Sequence, residues 1–350
     1  MKKPGLGGDI KNNRNIIVIG TSAGGVEALS CLVSQLPSDL NAAIMIVLHV
    51  PSHATSVLPN ILNRAGKIPA SHPKGREEIL PSHIYIAPPD YHLLVKSGYI
   101  TLIRGPRENN HRPAIDPLFR TAARAYGKRV VGVVLTGVLD DGTAGLQAVK
   151  MRGGVAIVQD PEDATYQGMP RSAIENVNDI DYIQPLSEIP AVLVELVNTP
   201  IETSSDNPVS HEMQIETDLV DMDSFTLNND DRAGKPSTFG CPDCGGTLWE
   251  LEQENLLRFR CRIGHAYSFE NLLAKQSDAL EDALWVALRA LEEKASLTKR
   301  MGKRMRDHNQ ILAAERMEEQ AKDALIRANV IRETLIKGSM NTQEKPTGNK

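Results

Sequence analysis

The stretch IIVIGTSAGGVEAL, residues 16–29, decides the fold of this chain. It begins with an apolar, β-branched run, passes through a turn of small residues and continues with apolar residues at helical spacing. Strand, tight turn and helix in this order form the repeating unit of a parallel α/β sheet. Ser22 stands within the pattern G-x-S-x-G from Gly20 to Gly24. The turn either binds a phosphate or presents Ser22 as a nucleophile.

The residues around the turn exclude a phosphate site. A dinucleotide fingerprint requires G-x-G-x-x-G, whereas Ser22 occupies the position of the second glycine. The fingerprint also requires an acid at the end of the second strand, and AIMIVLHV, residues 43–50, carries His49 there. No Gly-Lys-Ser/Thr follows, which excludes a P-loop. The turn instead matches a strand-to-helix elbow that exposes a serine.

The alternation of strand and helix patterns continues from Asn15 to about Val197. Runs such as VVGVVLTG, residues 130–137, are followed by helical patterns such as AGLQAVKMRG, residues 144–153. Near-continuous apolar strands between helices predict an α/β fold with a doubly wound, mostly parallel sheet. Within residues 83–104, Pro-Pro and Ser-Gly pairs interrupt short strands, which predicts an inserted β-hairpin.

Composition narrows the class of protein. The chain has 350 residues, 41% of them hydrophobic, enough for a sizeable core and more than one module. A formal net charge of −5 argues against nucleic acid and anionic lipid as partners. No run approaches the roughly 18 apolar residues of a membrane helix, and the start lacks a signal-peptide core. We therefore expect a cytoplasmic protein without membrane insertion.

Three predicted strands end in residues of complementary chemistry. Ser22 follows the first strand, His49 ends the second, and Asp141 follows VVGVVLTG. The carboxyl ends of parallel strands share one edge of the sheet, where ligand sites form. An imidazole can take the serine proton, and a carboxylate can orient the imidazole, so this set favours acyl transfer. Taken singly, a helix-capping serine, an edge histidine and a turn aspartate are the structural alternatives.

The order of these residues separates two hydrolase classes. An α/β-hydrolase has the order Ser, acid, His, whereas this chain has Ser22, His49, Asp141. An α/β-hydrolase would need His211 or His265 as its base, and both lie beyond the α/β body.

Residues 15–197 resemble the catalytic domain of the CheB protein-glutamate methylesterases of bacterial chemotaxis. The motifs that carry the resemblance are IGTSAGG, LHVP around His49, IAPPDYHL, HRPAIDPLF at 111–119, LTGVLDDGTAG and QGMPRSAI at 167–174. The resemblance implies a doubly wound parallel sheet and hydrolysis of γ-glutamyl methyl esters on methyl-accepting chemotaxis receptors. Some family members also deamidate glutamine. No cofactor is implied for this chemistry.

The resemblance also implies roles for individual residues. Ser22 matches the family's nucleophile, His49 its general base and Asp141 its orienting acid, while only the family spacing sets the neighbouring Asp140 aside. The oxyanion and substrate region corresponds to Ala23, Val138, Arg112, Met169 and Arg171. Val138 replaces the methionine common in the family, which a main-chain donor tolerates. Structural roles are the alternative for Arg112, Met169 and Arg171. The remaining histidines of the body are interpreted as solvated or structural, namely His53, His72, His83, His92 and His111.

The pattern changes after Val197. Residues 198–238 are acidic and aperiodic, which predicts a disordered linker. Residues 239–269 contain Cys-x2-Cys, then sixteen residues, then Cys-x3-His. This spacing predicts a zinc-ribbon-like module with a structural Zn2+ held by Cys241, Cys244, Cys261 and His265. TLWELEQ and LLRFRC read as its two strands, and three free cysteines in a reducing cytosol are the alternative.

The end of the chain has helical spacing. Residues 270–338 predict a helical hairpin or a coiled-coil partner surface with a polar DHN break, with residues 339–350 disordered. The first 14 residues are expected to be flexible and too short for the receiver domain that gates the best-known family members. The enzyme would then be constitutive, controlled by the C-terminal part, or controlled by a separate protein. A methyltransferase, kinase or regulator is the partner expected for the helices.

Two further functions stay open from the sequence. One is a catalytically silent scaffold or regulator in a chemotaxis-like signalling complex. The other is a serine esterase with a small-molecule substrate, which would show a deep apolar pocket beside Ser22. A modifier of receptor helices would show an open groove.

Overall fold

The structure is a computed structural model. It describes residues 13–201, 207–221, 233–253 and 256–341. The chain divides into two compact units between Leu272 and Leu273.

The secondary-structure elements are numbered in chain order. The strands are β1 (Ile16–Thr21), β2 (Ala43–Leu48), β3 (Ala70–Ser71), β4 (Glu77–Glu78), β5 (His83–Ile86), β6 (His92–Lys96), β7 (Tyr99–Ile103), β8 (Val130–Val134), β9 (Val155–Gln159), β10 (Tyr182–Gln184), β11 (Lys235–Gly240), β12 (Thr247–Gln253), β13 (Leu256–Cys261) and β14 (Ala266–Ser268). The α-helices are α1 (Gly25–Ser34), α2 (Leu58–Ala65), α3 (Ile115–Tyr126), α4 (Thr143–Met151), α5 (Gly168–Asn176), α6 (Ile189–Asn198), α7 (His211–Val220), α8 (Phe269–Asp307) and α9 (Ile311–Asn341).

The central sheet has seven strands in the order β10-β9-β8-β1-β2-β5-β3, and all neighbours run parallel. The chain winds outward from β1 to β2 and later returns to the other side of β1 as β8, so the winding reverses at β1. The carboxyl ends of β8, β1 and β2 therefore lie side by side at the switch point, where ligand sites form in such sheets. The predicted parallel α/β sheet is confirmed.

Both faces of this sheet are covered by apolar side chains. Successive residues of a strand point to opposite faces. Ile16 and Val18 join a core with α3, α4, α5 and the β6–β7 strands, whereas Ile17 and Ile19 join a second core with α1, α2 and α6. Because both faces are buried, β1, β2 and β8 consist of continuous apolar runs without polar alternation.

The predicted inserted hairpin is present. Strands β6 and β7 pair antiparallel, and β4 adds a short third strand along β7. Gly98, with φ of 84°, makes the turn between β6 and β7.

The interpretation of residues 198–238 as a disordered linker is wrong for α7. Ser210 caps this helix by accepting a hydrogen bond from Met213 N at 3.1 Å, and Met213 and Leu219 are buried. Glu216 lies on the same buried face, and its charge interrupts the apolar spacing that would identify a helix. Only tertiary arginine partners, which a local pattern cannot reveal, stabilise this carboxylate. The linker residues 202–206 and 222–232 lie outside the described residues.

Strands β11 to β14 form an antiparallel sheet that belongs to the first compact unit. The predicted strands TLWELEQ and LLRFRC are β12 and β13, which pair in register from Leu248–Cys261 to Gln253–Leu256. The sheet starts at Lys235, a few residues before the predicted boundary. It is called the ribbon below.

The second unit contains most of α8 and all of α9. The two helices pair antiparallel through a cluster of Leu288, Ala328 and Leu335, and Arg306 bonds Glu318 at 2.6 Å. The chain reverses at the predicted DHN break, where Asn309 has φ of 60°. Most of the predicted flexible N-terminus and disordered C-terminus lies outside the described residues. Within the described part of the chain, no helix combines the length and apolarity needed to cross a bilayer.

Candidate active site

Ser22 occupies the turn between β1 and α1. Gly24 precedes the helix with φ of 75°, a left-handed conformation that glycine adopts without strain. Gly20 lies so close to α3 that an added Cβ would meet Ile115 Cγ2 at 2.3 Å. The Ser22 N–H donates to Thr136 O at 3.1 Å. The small residues of the motif thus let the turn pack between two loops, while Ser22 lines a cleft at the start of α1.

His49 and Asp141 form a buried pair beside this turn. His49 Nε2 lies 2.7 Å from Asp141 Oδ2, and the two side chains are 5% and 2% exposed. Ile115 N and Asn109 Nδ2 also donate to Asp141, at 2.7 and 2.8 Å. Burial alone would raise the pKa of Asp141, but the hydrogen bonds from His49 and Ile115 hold it well below its usual range.

The ionised Asp141 fixes the tautomer of His49. A carboxylate only accepts hydrogen bonds, so His49 Nε2 carries the proton and Nδ1 carries the lone pair. Nδ1 is buried and has no hydrogen-bond partner among the described residues. The imidazole therefore has one nitrogen that can take a proton from a neighbouring hydroxyl.

His111 stacks on His49. The ring centroids are 3.6 Å apart and the planes differ by 10°. Burial and the neighbouring His49 lower the pKa of His111 to about 4, so His111 is neutral at neutral pH. The sequence interpretation of His111 as solvated or structural missed this contact, although the histidine begins the HRPAIDPLF motif.

The loop after β8 borders Ser22. A Cβ on Gly137 would lie 3.0 Å from the Ser22 Cβ, and Gly137 O accepts a hydrogen bond from Met169 N at 3.0 Å. Among the described residues, the N–H groups of Ala23 and Val138 donate no backbone or side-chain hydrogen bond. These two N–H groups are available for an anionic oxygen, and they lie near the N-terminus of α1, whose dipole also favours negative charge.

The three predicted substrate contacts differ in their surroundings. Arg112 lines the cleft, but its Nε donates to Asp90 at 2.9 Å, which neutralises much of its charge. Met169 is fully buried, and its sulfur lies where a Cβ on Gly137 would be. Arg171 is exposed and pairs with a surface glutamate outside the cleft. The structure thus gives Met169 a packing role beneath the loop and brings only Arg112 to the cleft.

The cleft is open, and its lining is partly polar and partly apolar. Its volume is about 410 Å³, and the residues that line it are Ser22, His49, Val50, Pro51, Ser52, His53, Arg107, Asn110, His111 and Arg112. Val50 and Pro51 supply its apolar part. The cleft beside Ser22 is therefore not a deep apolar pocket.

Asp140 and Asp141 point to different partners. Asp141 faces His49, whereas Asp140 accepts hydrogen bonds from Ser268 Oγ at 2.7 Å and Asn271 Nδ2 at 2.6 Å. Burial raises the pKa of Asp140 to about 6, although the Ser268 hydrogen bond opposes this. No sequence pattern indicates that the partners of Asp140 come from the end of the ribbon.

Four ligand atoms converge in the ribbon, from Cys241, Cys244, Cys261 and His265, and all lie within 4.8 Å of one another. Cys244 Sγ lies 3.7 Å from Cys261 Sγ, and His265 Nδ1 lies 3.7 Å from Cys241 Sγ and 3.5 Å from Cys261 Sγ. Tetrahedral Zn2+ with ordinary Zn–S and Zn–N bonds separates its ligand atoms by about 3.5 to 3.8 Å. The donor set and its spacing therefore fit a four-coordinate zinc ion. Cys31 is exposed and remote from this cluster in sequence.

Comparison with known proteins identifies the α/β body. A family model described as CheB methylesterase matches residues 17–193. A relative from Leptospira interrogans, provisionally named a protein-glutamate methylesterase/protein-glutamine glutaminase, is 39% identical over 191 residues, which are 54% of this chain and 98% of that protein. The protein of that name from Thiobacillus denitrificans is 40% identical over 190 residues.

A solved structure agrees with these relatives. The crystal structure of the Thermotoga maritima CheB methylesterase catalytic domain matches with a TM-score of 0.51 and 37% identity, and the match covers 52% of this chain and 98% of that one. The chain spans only about half the length of several relatives, 53% of the Thiobacillus protein among them. The family match ends at residue 193, before α7 and the ribbon.

Proposed function

This chain belongs to the CheB methylesterase family, and we propose that it hydrolyses γ-glutamyl methyl esters on methyl-accepting chemotaxis receptors or related signalling proteins. Deamidation of glutamine side chains is proposed as a second reaction of the same site. The observation that carries the proposal is the buried His49–Asp141 pair in the cleft that Ser22 lines. A cytoplasmic location follows from these proposed substrates.

The proposed mechanism begins with Ser22. As Ser22 Oγ attacks the ester carbonyl carbon, His49 Nδ1 takes its proton, and the carboxylate of Asp141 stabilises the imidazolium that forms. The tetrahedral intermediate collapses, His49 returns the proton to the departing methoxy oxygen, and methanol leaves. Water then attacks the acyl-serine with His49 again as base. Glutamate is released and Ser22 regains its proton.

The oxyanion of the intermediate would bind the N–H groups of Ala23 and Val138. A preorganised donor of this type typically contributes about 2.7–4 kcal/mol of transition-state stabilisation. Because main-chain groups supply it, the valine side chain at position 138 is compatible with this role. Met169, packed against Gly137, supports the loop that carries Val138.

The open, mixed lining of the cleft favours a protein substrate over a small apolar ester. Arg107 lines the cleft with Ser22, and a positive group there suits an acidic protein surface. A small-molecule esterase would need an apolar binding pocket instead.

A structural zinc ion is proposed for the ribbon. Cys241, Cys244, Cys261 and His265 would hold it, and four protein ligands leave no open position for substrate. When bound, zinc would cross-link the ribbon turns and would take no part in ester hydrolysis.

The paired helices α8 and α9 are proposed to bind a methyltransferase, kinase or regulator, which would place this chain within a signalling complex. The catalytically silent scaffold stays the alternative function.

The proposed substrate class can be tested by comparing esters. Wild type and Ser22→Ala would be incubated with a methylated receptor cytoplasmic fragment and with short-chain p-nitrophenyl esters, and receptor products would be followed by mass spectrometry. We expect Ser22-dependent loss of methyl groups from the receptor at far higher kcat/KM than for the small esters. The reverse preference would support the small-molecule esterase, and receptor binding without any ester loss would support the scaffold.

A further inference from the structure

The end of the ribbon lies directly on the loops that hold Asp141, the proposed orienting acid. The contacting segment, Ala266–Asn271, comprises β14 and the first residues of α8 and is called the clamp. Ala266 N donates to Arg107 O at 3.2 Å, and Asn109 N donates to Ala266 O at 2.8 Å. The clamp therefore pairs with the loop before α3 in the manner of an added strand.

Asn109 connects the clamp to Asp141. Its Oδ1 accepts a hydrogen bond from Ser268 N at 2.9 Å, while its Nδ2 donates to Asp141 Oδ1 at 2.8 Å and to Asp116 Oδ2 at 3.0 Å. The residue is 4% exposed and has φ of 50°, a conformation that few residues other than asparagine and glycine tolerate. Its amide donates two hydrogen bonds and accepts one, so its orientation is fixed by the clamp on one side and by two carboxylates on the other.

Asp140 provides a second connection. It precedes Asp141 in the chain, and its carboxylate accepts from Ser268 Oγ and Asn271 Nδ2 at the N-terminus of α8. Ser268 Oγ also accepts from Asn271 N at 3.1 Å, as an N-cap does. Helix N-termini favour neighbouring negative charge. The backbone at Asp140–Asp141 is thus anchored to the clamp independently of Asn109.

Buried ion pairs hold the ribbon in this position. Arg260 pairs with Glu108 at 2.9 Å and with Glu216 at 3.1 Å, and Glu108 also pairs with Arg120 at 2.8 Å. Arg258 adds a bond to Glu216 at 2.8 Å. Each of these side chains is at most 4% exposed. Buried charges of this kind require all their partners, so the docking of the ribbon is specific and not a loose surface contact.

We infer that the clamp positions Asp141 for catalysis, with Asn109, Asp140, Ser268 and Asn271 as positioning residues. None of these four side chains lines the cleft. They set the position of the Asp141 carboxylate and, through it, the orientation of the His49 imidazole. This inference rests on the proposed function only in assigning Asp141 as the orienting acid. It assigns to the ribbon a part in the active site that the family match, which ends at residue 193, does not contain.

The test uses the full-length chain and a probe that does not depend on the natural substrate. A fluorophosphonate reacts when Ser22 Oγ attacks phosphorus, fluoride leaves and the serine proton passes to His49. Its labelling rate therefore reports activation of Ser22 by His49 and Asp141. The variants are Ser268→Ala/Asn271→Ala, the single Asn271→Ala, and Asp140→Ala against Asp140→Asn. Ser277→Ala and Asn198→Ala, which change exposed residues, are the matched controls.

We expect the double variant and Asp140→Ala to label about 10- to 100-fold more slowly, since small displacements of catalytic groups have effects of this size. Asp140→Asn keeps an acceptor oxygen and should retain most of the rate, as should both controls. With the ester substrate, kcat should fall while KM changes less than about twofold. The melting temperature of each variant would be compared with that of the wild type to check that the variant is folded. The single Asn271→Ala replaces the double variant if the double variant does not fold.

Wild-type labelling rates in folded double variant and Asp140→Ala would overturn the inference. Equal losses in Asp140→Asn and Asp140→Ala would also overturn it, because the lost hydrogen bonds would then not be the cause. If the wild type labels rapidly but releases no methyl groups from receptors, the proposed substrate is wrong while the labelling comparison still tests the clamp.

Discussion

At the scale of single residues, His49 is held from two directions. Asp141 Oδ2 binds Nε2, and His111 covers one face of the ring. The carboxylate decides which nitrogen is the base, whereas the stacked ring limits rotation of the imidazole. In the proposed mechanism, a neutral His111 would not repel the His49 imidazolium, whereas a protonated His111 would.

The state of His111 predicts a pH dependence of stability. Burial and His49 lower its pKa from 6.5 to about 4 in the folded protein. The unfolded state therefore binds more protons between these pH values, and stability falls as the pH falls through this window. His111→Phe keeps a stacked ring but cannot titrate. Urea unfolding should show that the wild type loses roughly 2 kcal/mol relative to this variant between pH 7 and pH 5. Parallel curves for the two proteins would contradict the buried, neutral His111.

The sequence predicted which strand ends would supply Ser22, His49 and Asp141, because parallel topology brings those ends together. It could not distinguish Asp140 from Asp141 on physical grounds, since both follow the same strand and differ only in which partner each side chain meets. Asn109 was missed for a similar reason. Its three partners come from α3, the loop after β8 and the ribbon, and the ribbon partner Ser268 lies 159 residues away in the chain. No local pattern reports such a contact.

At the scale of elements, α7 shows how a buried charge joins two modules. Glu216 is bound by Arg258 and Arg260 from the ribbon. Burial alone would raise its pKa, but Arg258, Arg120 and Arg260 keep it well below its usual range, so it stays ionised. These arginines therefore offset the cost of burying a charged side chain on this helix.

Removing this carboxylate should be strongly destabilising. Glu216→Ala removes the buried carboxylate that Arg258 and Arg260 share, and breaking a buried ion pair typically costs about 3–5 kcal/mol. Glu212→Ala changes an exposed glutamate on the same helix and should have an effect below about 0.5 kcal/mol. Chemical denaturation of both variants measures the difference. Equal stabilities for the two variants would show that the network does not hold the ribbon in place.

The zinc proposal has its own test in the cysteines. Cys244→Ser should abolish stoichiometric zinc binding, measured by elemental analysis of the purified protein, and should lower the melting temperature. Cys31→Ser is the matched control, because Cys31 is exposed and is not part of the ligand cluster. It should leave the zinc content unchanged. Equal metal content in the wild type and in Cys244→Ser would contradict the assignment.

Elements whose apolar residues follow a regular spacing were predicted well. Helix α7, whose buried charge depends on partners from distant parts of the chain, was not. Strands β1, β2 and β8 are buried on both faces and appear in sequence as unbroken apolar runs. Strands β12 and β13 were visible between glycine turns. Helix α7 was not, since its core-facing side includes Glu216 and Thr217.

At the scale of the whole molecule, the chain joins an α/β region that matches the family, residues 17–193, to C-terminal segments outside that match. The ribbon shares the first compact unit with that body, whereas most of α8 and all of α9 form the second unit. The composition predicted more than one module. The acidic residues 198–238 predicted a linker, and the ribbon was therefore expected to be an appendage separate from the α/β sheet. Its docking depends on complementary buried charges, whose pairing a sequence does not display.

The most direct test of the account is methanol release from methylated chemoreceptor cytoplasmic fragments by the full-length wild type, Ser22→Ala and Ser52→Ala. Both serines line the cleft, so the pair separates nucleophilic attack from changes in cleft surface. The account predicts release by the wild type and Ser52→Ala, and a rate at least about 10³-fold lower for folded Ser22→Ala. Undiminished release by Ser22→Ala would contradict the assignment of Ser22 as the nucleophile of a receptor methylesterase.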